Sequence, residues 1–568
     1  MEPIENDQIR ILDLLPGEAG DPIRCRIRVA NLQDQPQYER FQRKIWVVHV
    51  TRNLHSALRR LRQTNKCRSV WVDQLCINQD DYQERSAQVR MMRRIYSECK
   101  LAVLWLGDIR DDTMLTDAKS VVSYFGFLAA SALESSTGTG LGDLGLDKFP
   151  IVETPTSDEG FHAALQAIIP SKCLWWNRIW TVQEAALPQS ASFLWGPFTI
   201  AWHWMSQPSY TWNEGNMDQF PIPPCINEDS VINLGVFEIL AAVQDIEFAR
   251  RKFNVVAESY HVTSFRHRNA TDPRDKVYAL SGLIPEGKLP RTSRCDYGLT
   301  VQQVYVAATM DFIEDTDGLC VLDMDPRVED NIATPGLPRW ALDLSATTGY
   351  DSTSTWVVKR YYHYFANRDL ALDVWSSYEG KSLALKGVLV DRIKIAGPSI
   401  PGQGWVQDGL LAKAIRECYA LFATGVCKGA RPKDEDFGRL LLGDIMRNSN
   451  FAWERRANSQ DLSSVSDYIA TGKRNNSFAS IYYTTRHRKF FITKTGLIGL
   501  GHLEVQPGDE VWIFNMGQVP FTLRKRNEAR GSLLEYEFVG GAYVQGVMHG
   551  EWYEEQTPKP VEQTVYLY

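Results

Sequence analysis

The stretch CRSVWVDQLCINQDDYQERSAQVRMMRRIYSECKLAVLWLGD, residues 67–108, sets the expected fold. Its order is strand, loop, helix, strand, the unit from which a parallel sheet is built. Val70–Val72 are two β-branched residues flanking a tryptophan, a short apolar run that suits a buried strand. The polar loop Asp73–Asp80 follows at the carboxyl end of that strand, where open α/β sheets place their ligands. Asp81 stands three residues before Glu84, the spacing of a helix N-cap and its reciprocal partner. Val89, Met92, Ile95 and Tyr96 recur at helical intervals and give the helix one apolar stripe. A second apolar run, Leu101–Leu106, closes on Gly107-Asp108.

Around this unit lies a chain of 568 residues, too long for one core, so two or three domains are expected. Hydrophobic residues at 44% and aromatics at 11% suffice for packed cores and argue against wholesale disorder. A net charge of −7 argues against a general nucleic-acid surface. The local basic run Arg59, Arg60, Arg62, Lys66 and Arg68 reads as the solvated face of one helix plus the following turn. Ten cysteines are scattered singly, with no CxxC pair and no zinc spacing. Ten histidines show no two-ligand pattern, so no metal is expected. The amino terminus has no apolar core after a basic start, and no apolar run is long enough for a membrane span. The expectation is a soluble, reduced, cytoplasmic protein.

Residues 8–15 and 23–31 read as a hairpin, and Ile45–Val50 as a further strand. Thr51 can cap a helix whose Leu54, Ala57, Leu58 and Leu61 share one face. Residues 115–135 read as helix, 136–160 as a Gly/Ser/Thr-rich loop, and Phe161–Ile169 as a short helix stopped by Pro170. The tryptophan-dense LWWNRIWTVQEAALP (174–188) is helical by pattern, followed by short strands at Phe193–Trp195 and Phe198–Ala201. Helix is expected over Val231–Phe265 and Val301–Ile313, and a short strand over Leu319–Leu322. Residues 404–470 carry two or three amphipathic helices. From Lys489 onward, short β-rich runs broken by Gly and Pro-Gly-Asp turns indicate a small, strongly bent β-barrel.

Three ordered segments resemble the HET domain of fungal heterokaryon-incompatibility proteins. They are VTRNLHSALRRLR (50–62), WVDQLCINQDDYQERSAQVRMMRRIYSECKLAVLWLGD (71–108) and WWNRIWTVQEAALP (175–188). ATDPRDKVYALSGL (270–283) resembles the segment that follows such domains, and the β-rich tail resembles the carboxyl-terminal module of large members. The organisation implied is an α/β HET domain at 1–200, a mainly helical middle at 201–400, a helical connector at 401–480 and a β-rich module at 481–568. HET domains are in turn distantly similar to TIR domains, so the implied fold is a TIR- or flavodoxin-like parallel sheet. One departure stands out: PQYERF (36–41) runs straight into QRKIWVVHVTRNL, without the family's Ser-Tyr-x-Trp-Gly segment. Ile45–Val50 would then have to substitute for the first parallel strand.

Some TIR domains cleave NAD at the nicotinamide bond with the glutamate of a W-x-x-x-E pattern, which Trp180–Glu184 matches. The resemblance implies Glu184 and Trp180 as catalytic residues, with NAD as substrate and no cofactor required. A carboxylate can stabilise the oxocarbenium-like state of such a cleavage, and an aromatic face can stack the leaving ring. The structural alternative is that Trp175, Trp176 and Trp180 are packing and Glu184 pairs with Arg178. Asp73, Asn78 and Gln79 line the loop where ribose hydroxyls or phosphates are met, or serve as turn residues. Arg85 either holds a phosphate or forms an ion pair with Asp81 or Glu84. Cys76 has no histidine near it in sequence and is not expected to act as a nucleophile. Asp272-Pro273-Arg274-Asp275 reads as a helix-starting turn that docks the following region on the HET domain. Two functions remain open: a cell-death effector of non-self recognition that hydrolyses NAD, and a catalytically degenerate relative that binds protein partners. Protein partners or self-association are expected in both.

Overall fold

A computed structural model of the chain describes residues 4–568 except 5–6, 33–48, 110, 113, 138–151, 212–220, 224, 226–229, 253–263, 286–287, 317, 324–333, 347–362, 367–374, 377–380, 403–408, 425–433, 448–452 and 527–532. Two units emerge, Met1–Val256 with Arg268–Leu299, and Ala257–His267 with Thr300–Tyr568.

In the first unit, β1 (Gln8–Leu14) pairs antiparallel with β2 (Cys25–Asn31), from Gln8↔Asn31 to Leu14↔Cys25. β3 (Arg68–Val70) joins the other side of β1, also antiparallel, so the order is β2-β1-β3. β1 carries apolar residues on both faces. Leu12 packs with Leu58 of α1 (Arg52–Leu61) and with Leu75 and Cys76 of α2 (Asp73–Cys76). Ile9, on the opposite face, packs with Met91 and Ile95 of α3 (Tyr82–Glu98). Each such side chain contributes roughly 1.5–3 kcal/mol of burial. Thr51 caps α1, its hydroxyl accepting from the Leu54 amide at 3.2 Å. Asp81 caps α3, accepting from the amides of Gln83 and Glu84 at 2.9 and 3.1 Å. Glu84 does not reciprocate as a capping partner, because its carboxylate is taken by Arg10 of β1 and by the Asn78 amide.

β4 (Ala102–Gly107) pairs in parallel with β5 (Ala191–Trp195), and β6 (Phe198–Ala201) pairs antiparallel with β5. The parallel sheet expected from residues 67–108 is therefore not what the described residues form. Its two strands enter different three-stranded sheets, and β4–β5 is the parallel pair among the described strands of this unit. The local order strand–helix–strand is as read. The partner of β3 is set by β1, whose two apolar faces draw α1 and α2 to one side and α3 to the other. The strand expected over Ile45–Val50, and the departure at 36–41, fall largely outside the described residues. Val50 itself is not in a strand and packs against the Leu12–Leu58 cluster. The basic residues of α1 are also reassigned. Arg59, Arg60 and Arg62 donate to the carbonyls of Ala19, Gly196, Pro197, Asp21 and Pro22, so they staple loops rather than only face solvent.

The unit is completed by α4 (Met114–Thr137), α5 (Asp158–Gln166, capped by Ser157), α6 (Leu174–Asn177), α7 (Thr181–Ala186), α8 (His203–Thr211), α9 (Ser230–Lys252) and α10 (Asp275–Ser281). Where one helix is expected over 174–188, two short ones occur. The Ile179 amide donates to the Asn269 carbonyl at 3.0 Å, and the Asn269 amide to the Asn177 carbonyl at 2.5 Å. Backbone groups spent on that bridge are lost to a continuous helical ladder.

In the second unit, Val301–Thr316 is helical and Cys320–Asp323 is a 3-10 turn, where a strand is expected over Leu319–Leu322. After the short β7 (Trp375–Ser376) comes β8 (Leu383–Ile400), eighteen residues long. Helices Leu410–Ala423, Asp434–Leu442, Ser459–Thr471 and Phe478–Thr485 follow, with the antiparallel pair β9 (Ile445–Arg447) and β10 (Trp453–Arg456) among them. The tail supplies β11 (Arg488–Thr493), β12 (Ile498–Gly501), β13 (Glu510–Phe514), β14 (Phe521–Lys525), β15 (Leu534–Gly541), β16 (Tyr543–Val544) and β17 (Gln563–Leu567). The ring β13-β14-β15-β17-β8 closes on itself through β8–β13, making a five-stranded barrel. Its closing strand is β8, which precedes the tail in which a barrel is legible. At Gly387 the ring is so tight that an added Cβ would collide with the Ile513 carbonyl and the Phe514 ring.

Candidate functional site

Glu184 sits one turn into α7, its amide facing the Trp180 carbonyl at 3.4 Å. The residue keeps some solvent access, yet protein surrounds its carboxyl closely. Desolvation pushes its pKa up to about 7. The Arg178 guanidinium opposes that shift, Asp73 adds to it, and the Trp175 indole and Arg268 lower it again. Asp73 therefore comes within electrostatic reach of Glu184, from the first position of α2. Tyr96 of α3 completes the surroundings. Its hydroxyl is held well above its ordinary value by burial and by the charges of Glu184 and Asp73, and its ring meets Trp71 edge-on at 5.8 Å. Two acids, an exposed arginine and a tyrosine thus converge from α2, α3 and the α6–α7 turn.

The other expected site residues divide. Trp180 is committed through its indole, which donates to Asp275 Oδ2 at 3.1 Å. Arg85 lies 3.7 Å from both Asp272 and Asp275 and stacks over the Tyr297 ring at 3.9 Å. Its ion-pair partners are thus on the α10 side, not Asp81 or Glu84. Asn78 offers its amide to Glu84 at 2.7 Å, and Gln79 donates its side chain to the Asp73 carbonyl at 3.3 Å. Trp175 and Trp176 pack edge-on at 4.8 Å, Trp175 meets the Phe193 ring at 5.2 Å, and both are core residues. Burial pushes the Cys76 thiol up to about 11, which leaves it un-ionised at neutral pH.

Several contributors were not legible in sequence. Arg268 is 2% exposed and donates to the Thr181 hydroxyl at 2.9 Å, in the turn that carries Glu184. Asp275 is buried, accepts from Trp180 and from the Tyr297 hydroxyl, and has its pKa raised by desolvation. Arg274 brackets the turn by binding Asp272 and the carbonyls of Tyr297 and Leu299. The Asp-Pro-Arg-Asp turn was the one available signal. Among the described residues, no group of three His, Cys, Asp or Glu side chains is arranged to hold a metal.

Residues 27–184 match the family described as Heterokaryon incompatibility protein (HET), and residues 448–560 match the Het-6 beta-barrel domain. The chain is thus a HET-domain protein that also carries a Het-6 barrel domain. The first match ends on Glu184 itself. The second contains β13, β14 and β15 but neither β8 nor β17, which close the ring. Over 96% of its length the chain is similar to Heterokaryon incompatibility protein 6, OR allele, of Neurospora crassa, with 23% identity and 94% of that protein covered. No solved structure matches the chain. No helix among the described residues is long and apolar enough to cross a membrane.

Proposed function

We propose that the chain acts in heterokaryon incompatibility as an effector, its HET domain hydrolysing NAD at the nicotinamide bond. The reading rests on one observation: Glu184 is a partly accessible carboxyl whose protonation is poised near neutrality among Asp73, Tyr96 and Arg178. A group so placed can exist in both states at working pH, as acid–base catalysis requires. A pyridinium cation bound beside it would favour the carboxylate. That carboxylate would stabilise positive charge developing at the ribose as neutral nicotinamide leaves. Water then adds to the anomeric carbon and its proton passes to Glu184 or to solvent, giving ADP-ribose. Asp73 adds negative charge on the same side, and Trp180 is the candidate stacking surface. Asn78, Gln79 and Arg85 are the candidates for the polar groups of the dinucleotide. A TIR-like ancestry and a cytoplasmic place of action belong to the same proposal.

The second reading, a catalytically silent HET domain that binds or restrains active relatives, is favoured by the commitments of Trp180 to Asp275 and of Arg85 to Asp272 and Asp275. Nicotinamide release from NAD by concentrated full-length protein decides between the two. Release by the wild type and not by Glu184→Ala supports the enzyme. Release by neither leaves the binding role, and equal release by both removes Glu184 from catalysis while leaving NAD cleavage to other groups.

A further inference from the structure

The family match ends at Glu184, but the contacts that fix the turn carrying Glu184 come from elsewhere in the chain. Three ties reach that turn from residues 268–275. The Arg268 guanidinium donates to the Thr181 hydroxyl at 2.9 Å, both groups being buried. The backbone of Asn269 bridges Asn177 and Ile179, and so interrupts the helix just before α7. Asp275 takes the Trp180 indole N–H at 3.1 Å, while its other oxygen accepts from the Tyr297 hydroxyl at 2.5 Å. Residues 177, 179, 180 and 181 are therefore each gripped from outside the matched domain. Gly282, at the end of α10, lies directly under Gln183, where an added Cβ would stand 2.6 Å from the Gln183 side-chain nitrogen.

We propose that Arg268 is a positioning residue of the Glu184 site, a buried cation that fixes the Thr181 turn beside the carboxyl, so that the competent HET unit includes residues 268–299. The inference builds on Glu184 as the reactive group, but it is tested without turnover. Thr181 and Glu184 are three residues apart on one helical turn, so a cation bonded to the first stands close to the second. Arg268 is joined in facing Glu184 by Trp175 from α6, by Arg178 from the α6–α7 turn, by Asp73 from α2 and by Tyr96 from α3. A buried guanidinium is always charged and cannot relieve its own burial by losing a proton. It is therefore a permanent charge shielded from water, whereas the Arg178 side chain is exposed to solvent.

The measurement is the titration midpoint of Glu184 in the folded protein, taken as the pH at which the stability difference between each background and the same background carrying Glu184→Gln levels off, followed from pH 4 to 9 in the full-length protein. In Arg268→Met the midpoint should rise by about half a pH unit or more, given that nearby opposite charges move carboxyl pKa values by up to one to three units. Arg268→Lys, which keeps the positive charge, should leave the midpoint close to the wild-type value. A folded Arg268→Met protein with the wild-type midpoint overturns the assignment. Should Arg268→Met not fold, Thr181→Val removes the hydroxyl acceptor at nearly constant volume and must move the midpoint upward too; an unmoved midpoint there is equally decisive against it. These outcomes are independent of NAD cleavage. Absence of nicotinamide release with the midpoint shifted would refute the enzymatic function alone.

Discussion

Replacing Glu184 with glutamine should stabilise this protein by an amount that grows as pH rises from about 4.5 to 7 and then levels off. In the folded state the carboxyl titrates near 7, against an ordinary value of 4.5, because burial disfavours its charge. A carboxyl with a raised folded-state pKa holds its proton more tightly folded than unfolded. Between about pH 4.5 and 7 the folded state therefore carries the extra proton, and stability declines as pH rises through that window. Above it the full penalty is present; below it there is none. At about 1.36 kcal/mol per pKa unit, the displacement corresponds to at most about 3.4 kcal/mol. Residual solvent access at Glu184 reduces this, so about 2–3 kcal/mol is the expected gain for Glu184→Gln at pH 8. Glutamine keeps the shape and cannot ionise, so the two proteins should converge at pH 4.5. In a unit of this size, each kcal/mol moves a thermal midpoint by about 2–4 °C. Calorimetry at pH 5, 6, 7 and 8 would show the first-unit transitions of the two proteins fanning apart with pH. Parallel curves, or a glutamine variant less stable at every pH, would refute the reasoning and make Glu184 an ordinary paired carboxylate.

Two further substitutions probe one unit each. Arg10 and Glu84 form a two-pronged ion pair between β1 and α3 with side chains 3% and 8% exposed, and Arg10 also donates to the Cys76 carbonyl at 3.0 Å. Burial opposes ionisation of Glu84, but Arg10 and the Asn78 amide outweigh it and hold the carboxyl below its usual range. Arg10→Met should cost about 3–5 kcal/mol at pH 7 by stranding the carboxylate. That cost should shrink as acid protonates Glu84 below its ordinary value, a trend readable by urea titration at pH 7 and 4. In the second unit, Gly387→Ala should break the closing β8–β13 seam, because the obstruction includes a backbone carbonyl that cannot swing aside. A loss of at least about 3 kcal/mol in the barrel transition is expected, and a change below about 1 kcal/mol would mean the seam can open without cost.

What the sequence made legible was local. Thr51 and Asp81 fall at the N-caps because the capping oxygen and the amides it serves lie within three residues. The apolar stripe of α3 follows from spacing along one helix. The hairpin β1–β2 follows from alternation on either side of one turn. Apart from the 3-10 turn at Cys320–Asp323, where a strand was expected, the main errors are of partnership. β3 was expected inside a parallel sheet and lies at an edge beside β1, because strand order depends on residues more than fifty positions apart. Glu84 was assigned to its own cap, while its stronger partner stands 74 residues away. β8 closes the barrel from outside the β-rich tail, and its run of apolar residues does not announce which strands it will join. At the site, Glu184, Trp180 and Asp73 were named from sequence, and Asp73 is brought to Glu184 by the fold. Asp275 was read only as part of a docking turn, and Arg268 was not named at all, since nothing in its own neighbourhood points to a helix more than eighty residues earlier.

The placement of those two residues changes what an isolated HET domain would report. A fragment ending near Ala201 keeps Glu184 and Asp73 but loses the Arg268–Thr181 bond, the Asn269 bridge and the carboxylate that receives the Trp180 indole. In that fragment the turn from Asn177 to Thr181 would expose unpaired amide and carbonyl groups that the intact chain satisfies. An inactive fragment would therefore carry no weight against catalysis by the full chain. A fragment more active than the full chain would show that the site works without residues 268–299, and would count against Arg268 as its positioning residue. The informative comparison is between the fragment and a chain that retains Arg268–Leu299, because only that pair separates removal of the barrel unit from damage to the site.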